Sequence, residues 1–264
     1  MLIKSTVKHT VKILDRDFTN KFQIIAGPCS IESREQFFTI AQALKNIGVK
    51  TLRGGLYKLR TRPNAFQGHG QVAYPWAVEV KKHLGMGFVS EVTDPRQIEG
   101  MSEVVDCFQV GARNMYNYDL LKELGKQKIP VLLKRAFSAT IDEWMFASEY
   151  LEKGGNSSIL LCERGIRTFE TKTRNTLDVN AIAYAQMNSP YPIISDPSHG
   201  TGRSDLVEYG SLASVAAGAN GLLIEVHNNP EEALSDKDQA LNLEQFKVVF
   251  DKCTKLSGFL NERS

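Results

Sequence analysis

The chain has 264 residues, 42% of them hydrophobic, enough for a sizeable core in one large α/β domain or two small ones. Lys plus Arg (32) and Asp plus Glu (30) leave a formal charge of +2, a balance that argues against a general nucleic-acid or membrane-surface binder but permits a local basic cluster around an anionic small molecule. Cys29, Cys107, Cys162 and Cys253 form no CxxC pair, no secretory signal opens the chain and no apolar run approaches a membrane span, so the expected setting is the cytoplasm, with reduced thiols.

The first twenty residues (KSTVKHTVKILD within them) alternate polar and apolar positions and predict a small strand or hairpin extension. FQIIA (22–26) is a buried strand that stops at Gly27-Pro28 and hands over a single thiol, Cys29. A helix follows over 33–48, where Phe37, Ile40, Ala41, Leu44 and Ile47 recur at helical spacing. KTLRGG (50–55) precedes a helix over 73–84. GFVSEV (87–92) precedes the short helix signal Thr93-Asp94-Pro95. VVDCFQVG (104–111) leads into 118–126, and PVLLKR (130–135) into 140–153, with Thr140 as its N-cap. SSILLCERG (157–165) precedes a longer loop and a helix over 178–186. YPIISDPSHG (191–200) precedes 204–217, and GLLIEVH (221–227) precedes a loop and 243–256.

Each of these eight strand runs is followed by a helix, and the strands are apolar on both faces, as in a parallel sheet covered by helices. Eight β-α units in about 250 residues predict an α/β fold of the (β/α)₈ TIM-barrel type, with residues 21–264 as the barrel and 1–20 as an N-terminal β extension over its floor. A doubly wound open sheet is the competitor, weakened by the lack of G-x-G-x-x-G after the first strand.

A barrel of this kind carries its site at the carboxyl ends of the strands. Two groups of polar residues fall there. Cys29, His199, Glu225 and Asp236 offer a thiolate, an imidazole and two carboxylates, a set suited to a borderline divalent transition metal. Taken singly, Cys29 also reads as core packing, His199 as a loop histidine and Asp236 as a turn residue. Glu225 ends an apolar run and would be costly if buried and unpaired. The second group is Arg53, Lys58, Arg60, Arg113, Lys134 and Arg164, cations that would repel one another unless a phosphate or carboxylate joined them. The Gly54-Gly55 and Gly111-Ala112 steps are expected to let backbone N–H groups approach that anion. Metal and polyanion pocket together suggest an enzyme acting on phosphorylated small molecules, with aldol chemistry and phosphate-ester hydrolysis both open.

As a set, AGPCSIES, RGG-x₂-K-x-RT, SEVTD, GARNM, LLKR, CERGIRT, DPSHGTGR and IEVH…ALSD resemble the 3-deoxy-D-arabino-heptulosonate 7-phosphate (DAHP) synthases of class I-β, relatives of the 3-deoxy-D-manno-octulosonate 8-phosphate synthases. The resemblance spans roughly residues 20 to 250. It implies a metal-dependent barrel that condenses phosphoenolpyruvate (PEP) with an aldose phosphate and releases phosphate. For DAHP synthases the aldose is erythrose 4-phosphate and the reaction opens the shikimate pathway. By resemblance Cys29, His199, Glu225 and Asp236 are the metal ligands, for Mn, Fe, Co or Zn. Arg53, Lys58, Glu91, Gly111, Ala112, Arg113, Lys134 and Arg164 match positions that hold PEP, and Arg60 and Thr61 match the aldose phosphate site. Octulosonate enzymes that work without metal carry Asn at the Cys29 position. Lys58 or a metal-linked His199 is the implied agent of proton transfer, and a homotetramer is the implied assembly.

The loop Lys58-Leu59-Arg60-Thr61-Arg62 departs from the heptulosonate pattern Lys-Pro-Arg-Thr-Ser and is one residue shorter than the octulosonate pattern Lys-Ala-Asn-Arg-Ser-Ser. It favours erythrose 4-phosphate over arabinose 5-phosphate and leaves Arg62 as an added cation. Twenty residues before the barrel leave no room for a fused regulatory domain, so the expectation is a chain without built-in feedback control by aromatic amino acids. A sugar-phosphate-binding barrel without catalysis and a barrel merely stabilised by metal are the readings from other classes.

Overall fold

The computed structural model describes residues 8–262. The part of the predicted extension at residues 1–7 lies outside the described residues. Two short strands, β1 (Lys12–Ile13) and β2 (Arg16–Asp17), pair antiparallel as a hairpin. The barrel strands follow as β3 (Gln23–Gly27), β4 (Thr51–Arg53), β5 (Gly87–Val92), β6 (Cys107–Val110), β7 (Val131–Lys134), β8 (Ile159–Glu163), β9 (Ile193–Ser195) and β10 (Gly221–Glu225). They close in the order β10-β3-β4-β5-β6-β7-β8-β9, and every pairing is parallel.

The helices are α1 (Arg34–Ile47), α2 (Tyr74–Leu84), α3 (Ile98–Ser102), α4 (Tyr118–Gly125), α5 (Ile141–Lys153), α6 (Val179–Asn188), α7 (Pro197–Thr201), α8 (Ser204–Ala216) and α9 (Leu243–Asn261). Local chemistry sets their ends. Ser33 caps α1 by accepting from the Gln36 amide, and Thr140 with Glu143 forms a capping box on α5. Phe37, Ile40, Ala41 and Leu44 form the buried face of α1. The Trp144 indole on α5 donates to the Leu133 carbonyl at 3.1 Å and fastens that helix to β7. No helix among the described residues is long and apolar enough to cross a membrane.

The strands bury both faces. One face joins the helices in an outer shell, while Ile25, Val89, Cys107, Leu132, Leu160, Cys162, Ile194 and Leu223 fill the barrel interior together with Val11, Ile13 and Phe18 of the hairpin. Those three hairpin side chains are fully buried, so the extension is a plug in the barrel floor. Full burial of such side chains stabilises by about 1.5–3 kcal/mol each. Gly87 accommodates the plug, since a Cβ there would stand 3.0 Å from Ile13.

Two local readings are corrected. The run 191–200 is not a strand to its end. β9 stops at Ser195, Asp196 becomes an N-cap, and 197–201 coil into the single turn α7, which carries His199. The Gly54 and Gly55 amides are not free for an anion. They donate to the Val89 and Cys29 carbonyls, at 3.1 and 3.2 Å, and their glycine character serves close packing instead.

Candidate active site

All the strand ends meet at one rim, and the side chains divide into two arcs around it. The arc of β9, β10 and β3 supplies Cys29, His199, Glu225 and Asp236. Gly27 turns the chain from β3 toward Cys29 with φ 152°, and a Cβ there would collide with the Arg53 carbonyl. Glu225 is the last residue of β10, and Asp236 lies in the loop beyond it in the left-handed region, φ 54° and ψ 36°. A hydrogen bond of 2.7 Å between the Ser30 and Ser235 hydroxyls holds that loop against the end of β3.

One donor atom from each of the four residues lies within 4.8 Å of the others. The Cys29 thiol donates to Asp236 Oδ2 at 2.9 Å and accepts from Lys58 Nζ at 2.8 Å. His199 Nε2 stands 3.2 Å from Glu225 Oε1, and Arg53 Nη1 stands 3.1 Å from the same oxygen. Neither Glu225 Oε1 nor Arg53 Nη1 makes a hydrogen bond despite full burial. A buried carboxylate oxygen paired with Arg53 by charge but without a hydrogen bond keeps lone pairs to offer a cation.

The groups behind the four support the same role. Asp196, fully buried, accepts from the His199 amide at 2.9 Å, from His199 Nδ1 at 2.7 Å and from Lys134 Nζ at 2.6 Å. Burial pushes the His199 imidazole below its ordinary pKa against the pull of Asp196 and Glu225, so it is neutral near pH 7. With its one N–H given to Asp196, its Nε2 lone pair faces Glu225 Oε1, two acceptors that call for a cation between them. Gln239 donates to Glu225 Oε2 at 2.6 Å and accepts from Arg174 at 2.9 Å, and Arg174 also reaches Asp236 Oδ1 at 3.1 Å. Burial, Glu225 and Asp236 hold the Cys29 thiol well above the usual thiol range. Burial works against Asp236 as an anion, but His199 once protonated at low pH, Lys58, the Cys29 hydrogen bond and Arg174 outweigh it and hold its carboxyl well below the usual range. A soft sulfur, a neutral imidazole and two ionised carboxylates at this spacing fit a divalent transition ion, which would displace the thiol proton on binding.

The arc of β4 to β8 supplies the cations. A pocket of about 290 Å³ opens above the cluster, and Arg53, Lys58, Arg60, Thr61, Glu91, Gly111, Ala112, Arg113, Lys134 and Arg164 all line it. Arg62 and Arg174 add two further cations to the wall, to which Phe137 and Gln109 also contribute. A Cβ on Gly111 would collide with the Glu91 carboxylate, so glycine is what lets that carboxylate lie against the end of β6. Cys29 and Glu225 lie buried beside the pocket, whose lining includes His199 and Asp236.

Some strand-end residues point elsewhere. Arg135 is buried in ion pairs with Glu163 at 3.0 Å and Asp178 at 2.9 Å, a structural tie between β7, β8 and the start of α6. His227 turns to Glu32 and Gln36. Sequence reasoning missed Phe137, Arg174 and Gln239, whose loop positions carry no spacing signal.

Residues 12–258 match the model of the DAHP synthetase I family. The chain is 47% identical over 239 residues to a phospho-2-dehydro-3-deoxyheptonate aldolase of Thermotoga maritima, covering 90% of this chain and 71% of the relative. It is 29% identical over 252 residues to a 2-dehydro-3-deoxyphosphooctonate aldolase of Syntrophobacter fumaroxidans, covering 89% of this chain and 86% of that one. The crystal structure of the phospho-2-dehydro-3-deoxyheptonate aldolase (DAHP synthase) from Thermotoga maritima matches with a TM-score of 0.92 at 44% identity, covering 96% of this chain and 74% of that one.

Proposed function

The chain belongs to the DAHP synthetase I family, and from that premise we propose that it condenses PEP with erythrose 4-phosphate and water to give DAHP and phosphate, the transferase step that opens the shikimate pathway. The observation that carries the reading is the juxtaposition of a four-donor S/N/O cluster with a pocket lined by convergent cations. Identity of 47% to a heptonate aldolase against 29% to an octonate aldolase, together with the short loop 58–62, supports erythrose 4-phosphate over arabinose 5-phosphate. Residues 21–264 form the catalytic unit in this reading, in a homotetramer that light scattering would reveal.

Cys29, His199, Glu225 and Asp236 would hold one divalent ion (Mn, Fe, Co or Zn), which when bound supplies Lewis acidity to the acceptor carbonyl. Arg53, Arg113, Lys134 and Arg164 bind the phosphate and carboxylate of PEP and stabilise the charge that moves between them. Arg60, Thr61 and Arg62 meet the phosphate end of the aldose. A carbon–carbon bond forms from PEP C3 to the aldehyde carbon, whose oxygen takes a proton. Water then adds at PEP C2, and phosphate leaves by C–O cleavage. Lys58 is the group suited to deliver the proton. It is the N–H donor at the junction of pocket and cluster, 2.8 Å from Cys29 Sγ, whereas His199 has committed its N–H to Asp196.

The test is incubation of metal-reconstituted protein with PEP and either aldose phosphate, following phosphate release and product mass. The expected product has seven carbons and is lost with chelator and with Cys29→Ala. An eight-carbon product would move the acceptor to arabinose 5-phosphate. PEP binding without turnover would leave a binding barrel.

A further inference from the structure

Three guanidinium groups converge on one aromatic ring at the pocket wall. The carbon centres of Arg164, Arg167 and Arg113 lie 4.7, 4.8 and 5.4 Å from the centroid of Phe137. Barrel order explains the convergence. β7 lies between β6 and β8. Phe137 follows β7, Arg113 follows β6, and Arg164 and Arg167 follow β8, so the ring stands between the arginines of both neighbours. Phe137, Arg113 and Arg164 all line the pocket.

The ring is held in place from its own backbone. The Ala139 amide donates to the Ala136 carbonyl at 3.3 Å, closing a turn that contains Phe137. Arg135 Nε donates to the Ala139 carbonyl at 3.0 Å, and the Arg167 amide donates to the Phe137 carbonyl at 2.7 Å. The arginine heads are less tied. Arg113 reaches Thr61 Oγ1 at 3.4 Å, and Arg164 reaches the Gly165 carbonyl at 3.2 Å. Neither bond involves a carboxylate. Like charges so gathered repel one another, and the negative face of an aromatic ring is a partner that offsets that repulsion at the arginine heads without competing for the ligand as a directly bonded carboxylate would.

We infer that Phe137 is a positioning residue: its ring holds Arg113 and Arg164 in the orientation that receives an anionic substrate group. The inference rests on the assignment of this pocket to PEP. A cation–π contact corresponds to about two- to thirtyfold in an equilibrium per arginine. Simple packing would require only apolar volume at position 137, whereas positioning requires an aromatic face.

The experiment compares Phe137→Leu with Phe137→Tyr in metal-reconstituted protein, each checked for an unchanged melting transition, with Phe137→Met as a second aliphatic variant. Binding of PEP alone and of inorganic phosphate is measured by calorimetry, then the KM of each substrate and kcat. The expected result is PEP and phosphate binding weakened about tenfold in the Leu and Met variants and within about twofold of the parent in the Tyr variant, with the acceptor KM unchanged. Wild-type-like binding in the Leu variant, or equal loss in Leu and Tyr, overturns the inference. Failure of the parent protein to bind PEP while it binds inorganic phosphate would sink the substrate assignment, and the Leu–Tyr contrast on phosphate would still decide the role of the ring. Failure of the parent to bind either would sink both.

Discussion

Gln239→Leu removes one amide and leaves the chain's volume nearly unchanged. Gln239 is 2% exposed, and its amide nitrogen donates to Glu225 Oε2 at 2.6 Å while its oxygen accepts from Arg174. A hydrogen bond to a charged group contributes about 1.5–3 kcal/mol. Substituting a residue that orients a metal ligand lowers affinity about 10- to 100-fold, which agrees with that energy at about 1.4 kcal/mol per decade. We therefore expect the dissociation constant for Co²⁺, measured by competition with a chromophoric chelator, to rise about 10- to 100-fold. In the metal-free protein a buried carboxylate loses its donor at a cost of about 1–3 kcal/mol, a fall in melting temperature of about 2–10 °C. A Gln239→Leu protein that melts lower yet binds Co²⁺ as tightly as the parent would refute the reasoning, because Glu225 would then be no ligand that Gln239 orients.

Phe18→Ala empties the centre of the barrel floor. It should destabilise by about 3–5 kcal/mol in thermal or denaturant unfolding while the Kd for PEP stays unchanged, and an unshifted midpoint would show that the hairpin is not a plug. Gly111→Ala drives a Cβ into the Glu91 carboxylate, so PEP affinity should drop about tenfold in calorimetry, and retained affinity would mean that Glu91 is free to move. Burial and then Glu208 push the Cys253 thiol up to about 12, and burial raises Cys107 and Cys162 further. The thiol, not the reactive thiolate, therefore prevails at pH 8. Mass spectrometry should find these three cysteines alkylated slowly in the native state, about tenfold faster per pH unit upward, and rapid native alkylation at pH 8 would contradict the burial.

The strands were legible because a parallel barrel buries both faces, which makes each strand a continuous apolar run such as GLLIE or ILLCE ended by its first carboxylate. The helices were legible from caps, as Thr140 with Glu143 shows. What failed to show was set by tertiary contact. Asp196 ended β9 because it caps α7 and meets Lys134, 62 positions away in the chain. Lys134 ends β7 and Arg135 follows it, and the two neighbouring cations point apart: Lys134 enters the pocket and Arg135 joins the Glu163–Asp178 tie. Arg174, Gln239 and Phe137 lie on loops whose paths only the closed barrel defines.

The split of the rim into two arcs bears on how such a chain changes use. The four-donor cluster on the β9–β10–β3 side and the cations on the β4–β8 side meet through Lys58 to Cys29, Arg53 to Glu225, and Arg60 and Arg174 to Asp236. A lineage that exchanged Cys29 for another side chain would lose one donor of the cluster and keep the cationic half, so dependence on an ion and recognition of a phosphorylated acid can change separately on one scaffold.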